Sequence, residues 1–217
     1  MAAVATVSAG DMNRRTWRRR ASDAQDATLV VLAAFFFYVH ANHTIQDGSV
    51  TSIFFASEQA LLVGMFLLRR RSNSTSPRIA DWVFATVGGW LPLALQPHDG
   101  MPGGAIYFGT GMQMAGLTLT CYGFMSLGRS FGIVAANRGL KQHGPYRLVR
   151  HPIYLSHAIT MTGFLVANGG PVNIALLAVI FTAQLMRIRA EERVLRETGD
   201  YEAYAANVRW RLVPGVY

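Results

Sequence analysis

Long apolar stretches alternate with short polar segments along most of the chain. Six stretches stand out, covering residues 27–45, 52–68, 81–97, 104–127, 153–168 and 172–186. A helix needs about 17 to 25 apolar residues to cross a bilayer, and most of the stretches reach that length, while the last two are short. The pattern predicts an all-α, polytopic transmembrane protein with about six spanning segments and with both termini on the same side.

The last two stretches are separated by the sequence NGGP at residues 168–171. Two glycines followed by a proline are typical of a tight turn, so we expect these stretches to form a C-terminal antiparallel helical hairpin. The polar end of the chain also has helix-like spacing. Gly199 is predicted to end one helix, Asp200 to begin another, and Pro214 to stop it.

Composition and charge agree with a membrane protein. The chain of 217 residues is 51% hydrophobic and 15% charged, with a formal net charge of +8, whereas soluble domains have about 25% charged residues. If the stretches cross in turn, all 20 Lys and Arg residues lie in the N-terminal tail or in the connections on its side, 69–80, 128–152 and 187–217. Positive residues mark the cytoplasmic side. The basic charge is therefore interpreted as topology, and nucleic acid is not an expected partner.

Three parts follow from this pattern. Residues 1–26 form a basic cytoplasmic tail that does not resemble a cleavable signal peptide, residues 27–127 form the N-terminal transmembrane helices, and residues 128–217 form a loop, the hairpin and C-terminal cytoplasmic helices.

The only cysteine, Cys121, excludes an internal disulfide and a cysteine-built metal site, and we expect no metal. Because the long polar connections are cytoplasmic, a site for a polar cofactor should face the cytoplasm.

The segment GTGMQMAG resembles the glycine fingerprint of dinucleotide-binding folds, but no strand precedes it. Its small residues are instead predicted to let membrane helices approach closely, and they are Gly109, Gly111, Ala115 and Gly116.

Two acidic residues lie in apolar stretches. Glu58 is predicted to bond a neighbouring helix, with a functional role as the alternative. Asp81 lies at a helix start, where a carboxylate suits the helix dipole, so we expect it to cap that helix.

The segment HGPYRLVRHPIYLSH is unusually polar for its place between two apolar stretches. Pro145 and Pro152 disfavour helix in the residues before them, so we expect an ordered loop and a helix that begins at Pro152. Tyr146, His151 and Tyr154 supply aromatic faces, which attract cations. The segment is a candidate wall of a ligand site.

A second polar cluster follows the hairpin in the sequence RIRAEE. Arg187 and Glu191 are four residues apart and share a helix face. A surface ion pair is the simpler interpretation. However, the hairpin returns this helix to the side where the loop enters it, so the two clusters should be neighbours.

At these residues the sequence resembles the isoprenylcysteine carboxyl methyltransferase family and, more broadly, the membrane methyltransferases that include phospholipid N-methyltransferases. The resemblance covers residues 124–217 and rests on LGRSFG, GPYRLVRHPIY, RIRAEERVL, GDYEAY and RLVP. It implies an integral membrane enzyme that uses S-adenosylmethionine and has no Rossmann domain.

The resemblance also implies which residues form the site. The implied cofactor-binding residues are Arg138, Gly139, Leu140, Lys141, Tyr146, His151, Pro152, Ile153, Tyr154 and Glu191. Arg187 corresponds to an arginine that meets the substrate in the carboxyl methyltransferases, and we expect Arg187 and His151 to be the catalytic residues. The sequence NRGLKQ departs from the family pattern, since relatives often have a histidine or another polar residue there.

Several activities are compatible with these residues. The first is O-methylation of a lipophilic carboxylate, which is already ionised at neutral pH and needs alignment by Arg187 rather than a base. The second is methylation of a phospholipid amine, for which His151 or Glu191 would have to accept a proton. A sterol-type membrane reductase that uses NADPH is a third, because the basic loop residues could bind phosphates; these are Arg138, Lys141, Arg147 and Arg150. A non-catalytic scaffold would leave both polar clusters unexplained. The expected partners are the bilayer and a lipophilic acceptor, and the oligomeric state is not predicted.

Overall fold

The computed structural model describes residues 76–96, 101–130, 134–136, 139–197 and 199–217, together with separate positions between 16 and 68. The separate positions are all helical, and the described residues include no β-strand, in agreement with the all-α prediction. Glu58 and Arg138 lie outside the described residues, so the predictions made for them stay predictions.

Five helices are described over their full length. They are α1 (Ile79–Trp90), α2 (Gly103–Leu127), α3 (Pro152–Asn168), α4 (Pro171–Arg196) and α5 (Asp200–Asn207). Short 3-10 helices follow α1 and α2 and form part of the loop before α3, at Leu91–Ala94, Gly128–Ser130 and Gly144–Arg147.

The bounds of α2 and α3 agree with the apolar stretches to within one residue. Helix α1 ends earlier than predicted, at Trp90, where Pro92 lacks the N–H that a continuing helix would need. Helix α4 runs beyond the predicted end of its apolar stretch. Within the described part of the chain, α4 is the one helix long and apolar enough to cross a membrane, so the six-segment topology stays a prediction.

Glycines allow α2 and α3 to pack closely. A Cβ added at Gly109 would lie 2.8 Å from the backbone nitrogen of Ala167, and one added at Gly116 would lie 2.8 Å from the carbonyl oxygen of Ser156. The predicted packing role of these two glycines is therefore confirmed. For Gly111 and Ala115 it is wrong, because both lie on the exposed face of α2.

The turn between α3 and α4 uses its two glycines in the predicted way. Gly169 and Gly170 have φ angles of 37° and 86°, which side chains disfavour. The buried amide of Asn173 donates to the carbonyl oxygens of Gly169 (3.0 Å) and Gln96 (2.8 Å) and accepts from the Gln96 N–H (3.1 Å). The two helices of the hairpin have different partners, since α3 packs chiefly against α2 and α4 packs chiefly against α1.

An ion pair joins the start of α1 to the end of α4. Nη2 of Arg193 lies 2.5 Å from Oδ2 of Asp81, which also accepts a hydrogen bond from Ser76 Oγ. The Ser76 N–H donates to the carbonyl oxygen of Ala135 at 3.0 Å. The prediction that Asp81 is only a helix cap is therefore incomplete, because its carboxylate is buried and paired with a cation from a distant helix.

The C-terminal part begins with the turn that the sequence predicts. Gly199 has a φ angle of 79°, and α5 starts at the next residue. Tyr201 and Tyr204 of α5 are buried with Val208, and Leu140 packs against them. Helix α5 ends at Asn207, well before Pro214, so the prediction that Pro214 stops it is wrong.

Candidate active site

The loop before α3 is ordered by contacts on both sides. Gly144 has a φ angle of 60°, and a Cβ added there would lie 3.2 Å from the Cβ of Ser126 in α2. The hydroxyl of Tyr204 donates to the carbonyl oxygen of Tyr146 at 2.7 Å. Helix α3 then begins at Pro152, as predicted. The loop is therefore held between α2 and α5, and it fixes the side chains that follow it.

Glu191 of α4 meets the residues at the start of α3. The hydroxyl of Tyr154 donates to Oε1 of Glu191, and Nδ1 of His151 lies 3.8 Å from Oε2 of Glu191. The rings of His151 and Tyr154 are 5.7 Å apart at their centroids and meet edge to face. The side chain of Glu191 is 26% exposed, so its carboxylate is still accessible to a ligand.

Arg187 lies one helical turn before Glu191 on the same side of α4. Its guanidinium carbon is 5.3 Å from the centroid of the Tyr154 ring, a cation–π arrangement. Its Nη1 donates to Oε1 of Gln184 at 2.8 Å. Helix α1 also reaches this point, because a Cβ added at Gly88 would lie 3.1 Å from the Cδ of Arg187. A cation therefore lies over the ring of Tyr154, and a carboxylate meets its hydroxyl.

The neighbouring glutamate, Glu192, is held differently. Its side chain is 4% exposed, and Oε1 accepts from Nη1 of Arg150 and from Nε of Arg211, each at 3.0 Å. Nε2 of His151 lies 3.3 Å from the same oxygen. Glu192 is thus enclosed by protein groups, and of the two adjacent carboxylates Glu191 is the one that a ligand could reach.

The tyrosines around the site remain neutral. Burial raises the pKa of Tyr146 far above its ordinary value, and the charge of Glu191 raises it further. Burial also raises the pKa of Tyr204, to about 12. Tyr146 therefore offers an aromatic face and a hydroxyl and does not act as a phenolate base.

The other predicted cofactor residues are placed as follows. Gly139 is exposed, with a φ angle of 97°, and Lys141 is partly buried. Pro152 is buried at the start of α3. Leu140 packs against the tyrosines of α5, and Ile153 packs against α2, where a Cβ on Gly123 would lie 2.9 Å from its Cγ1. The side chains of Leu140 and Ile153 are thus engaged in packing, which leaves their backbone groups for any ligand contact.

Sequence reasoning placed Glu192 in the second polar cluster without a role of its own, and it missed Arg211 and Gln184. A signal for Glu192 was present, because it lies four residues after Ile188, which is completely buried, and so continues a buried face of α4. A carboxylate on such a face needs cationic partners. No comparable local pattern marks Arg211.

The comparisons with known proteins give a match to one family model. The family model described as phospholipid methyltransferase matches residues 103–200, which run from α2 to the start of α5. This match supports a membrane methyltransferase family, and methyltransferases of this type generally use S-adenosylmethionine. A search of curated proteins gives no match.

Proposed function

We propose that the protein is an integral, multi-pass membrane methyltransferase that uses S-adenosylmethionine to methylate a lipophilic acceptor. O-methylation of a carboxylate, of the isoprenylcysteine type, is the activity we favour. The main support for the proposal is that Glu191 contacts Tyr154 and His151, with Arg187 one helical turn away on α4.

The residues at this meeting point fit the chemistry of the cofactor. S-adenosylmethionine would supply a methyl group on a sulfonium, together with an ammonium, a carboxylate, a ribose and an adenine. The accessible carboxylate of Glu191 suits an ammonium group, and the faces of Tyr146 and Tyr154 suit a cationic sulfur. Backbone groups of the loop, including those near Gly139 and Ile153, can meet polar atoms of the nucleoside.

Arg187 is proposed to hold the acceptor. A guanidinium can bind a carboxylate through two parallel hydrogen bonds, which fixes the orientation of both acceptor oxygens. A carboxylate is ionised at neutral pH, so no residue has to remove a proton before the reaction. The contributions of Arg187 and His151 would then be alignment and the exclusion of water.

Methylation of a phospholipid amine is the second candidate, and the family model favours it. In this case Arg187 would hold the phosphate of the headgroup and a base would have to accept the ammonium proton. The candidate bases are His151 and Glu191, which lie against each other.

We further propose that the site faces the cytoplasm and that the six apolar stretches all cross the membrane. The distribution of Lys and Arg residues supports this topology. Accessibility of single cysteines to an impermeant thiol reagent tests it, after Cys121 has been replaced by Ala. A cysteine at position 147 should react only when the cytoplasmic side is exposed, and labelling from the opposite side would contradict the topology.

Two measurements test the activity. Purified protein in detergent should bind S-adenosylhomocysteine and be stabilised by it, whereas stabilisation by NADPH alone would favour the reductase. Protein incubated with methyl-labelled S-adenosylmethionine and membrane lipid should then yield a labelled product. Label released by mild base identifies a methyl ester, and label that resists base identifies a methylated amine.

A matched pair of variants tests the role of Arg187. Arg187→Lys keeps the charge but loses the ability to form two parallel hydrogen bonds. The rate of methyl transfer to the acceptor should therefore fall, while the affinity for S-adenosylhomocysteine is kept. Arg189→Lys is the control, because Arg189 is exposed on the same helix. Equal rates of methyl transfer in the two variants would show that Arg187 does not bind the acceptor.

A further inference from the structure

The chain from 209 to 217, here called the C-terminal segment, follows α5 and crosses the start of α3. The N–H groups of Arg150 and His151 donate to the carbonyl oxygens of Trp210 and Arg211, each at 2.9 Å. Nη2 of Arg150 donates to the carbonyl oxygen of Arg209 at 2.8 Å. Backbone groups that would otherwise be unsatisfied before the first turn of α3 are thus bonded to the C-terminal segment.

The side chain of Arg211 extends this contact to α4. Its Nε lies 3.0 Å from each of the two carboxylate oxygens of Glu192. This interaction raises the pKa of Arg211, so the guanidinium is charged at every accessible pH. Arg211 is 30% exposed and Glu192 is 4% exposed. A buried carboxylate needs its cations. Arg211 and Arg150 are the nearest arginines to Glu192, and Nη2 of Arg196 lies farther away, 3.8 Å from Oε2.

The imidazole of His151 lies between the two glutamates. Its Nε2 is 3.3 Å from Glu192, and its Nδ1 is 3.8 Å from Glu191. One edge of the ring therefore meets the enclosed carboxylate and the other meets the carboxylate of the proposed cofactor site. Any movement of Glu192 would be passed to the ring and then to Glu191.

We infer that Arg211 and Glu192 are positioning residues, which hold His151 in the orientation that the cofactor site requires. They act through His151 and do not themselves touch the cofactor. The consequence for affinity rests on the proposed function, whereas the effect on His151 does not. The proposed site thus extends, through Arg211, beyond residues 103–200, which match the methyltransferase family.

Hydrogen exchange tests the effect on His151 without any ligand. In Arg211→Ala, the amides of residues 148–151 should exchange about tenfold faster than in the unaltered protein, because the charged hydrogen bond that anchors the C-terminal segment is lost. Arg209→Ala is the matched control: its side chain lies over the Trp210 ring, and its backbone carbonyl is kept. Equal exchange in the two variants would overturn the inference.

The affinity for S-adenosylhomocysteine tests whether the position of His151 matters for the cofactor site. Arg211→Ala should weaken binding of S-adenosylhomocysteine by about tenfold or more, Arg211→Lys should restore part of the loss, and Arg209→Ala should bind normally. Binding is measured well below the unfolding temperature of each variant. A lower unfolding temperature with unchanged affinity would show a purely structural role and overturn the inference.

Failure of Arg211→Ala to fold and failure of the proposed function can be told apart. If Arg211→Ala does not fold, Glu192→Gln replaces it, because this change keeps the shape of the side chain and removes its charge. It should give the same faster exchange and the same loss of affinity, and an unchanged affinity would count against positioning. If the unaltered protein does not bind S-adenosylhomocysteine, the proposed function fails, and the exchange experiment still decides the role of Arg211.

Discussion

Replacing Glu191 by Gln tests the cofactor site at its most accessible charged group. The change keeps the size of the side chain and removes the carboxylate that accepts from Tyr154 and faces His151. A hydrogen bond to a charged group contributes about 1.5 to 3 kcal/mol. Because the side chain is 26% exposed, solvent screens part of its charge and the lower end of that range applies. We expect S-adenosylhomocysteine to bind about 10- to 30-fold more weakly.

Titration calorimetry in detergent measures this change directly. Glu197→Gln is the control, since the same substitution is made at an exposed position just after α4. Tyr154→Phe removes the hydroxyl that orients Glu191 and should weaken binding by about fivefold. In the double variant the losses should not add, because the hydroxyl acts through the carboxylate. The reasoning is refuted if Glu191→Gln binds as well as Glu197→Gln.

Three other changes test the packing and the acceptor site. Gly116→Ala should lower the free energy of unfolding by about 1 to 3 kcal/mol, because its new Cβ would overlap α3, whereas Gly111→Ala, whose Cβ would enter open space, should be neutral or stabilising. A thermal melt compares them, and equal melting temperatures would contradict the close packing. Asn173→Ala should lower the melting temperature by several degrees, since buried backbone groups lose their partner; an unchanged melt would show that the amide is not needed. Arg187→Ala should reduce kcat/KM for the acceptor by at least tenfold while leaving cofactor affinity within about twofold, and a matching loss of cofactor affinity would move Arg187 into the cofactor site.

The sequence predicts helices best where local signals mark both ends. Helix α3 is predicted correctly because Pro152 fixes its start and Gly169, at positive φ, fixes its end. Helix α4 is longer than its apolar stretch, since the charged residues that follow are good helix formers, and it ends at Arg196, three residues before the end that Gly199 predicts. An apolar pattern alone indicates which residues are buried in lipid or protein. It does not indicate how far a helix extends into water.

Local sequence patterns could not predict the ion pairs between distant segments. Asp81 has the position of a helix cap, but its partner Arg193 is 112 residues away. Glu191 and Glu192 are adjacent in sequence, yet a helix separates their directions by about 100°, and only the packing of Arg150 and Arg211 decides which one is enclosed. The sequence resemblance named Glu191 as the cofactor contact, whereas the enclosure of Glu192 by Arg150 and Arg211 depends on the tertiary structure.

The contacts of α1 limit how the protein can be shortened for structural work. A fragment restricted to residues 103–200 would remove Asp81 from Arg193 and would uncover the side of Arg187 that packs against Gly88. Breaking a partly buried ion pair by removing one partner is destabilising. Such a fragment should aggregate on purification, and a shortened chain suited to crystallisation should begin ahead of Ser76, so that α1 still covers α4.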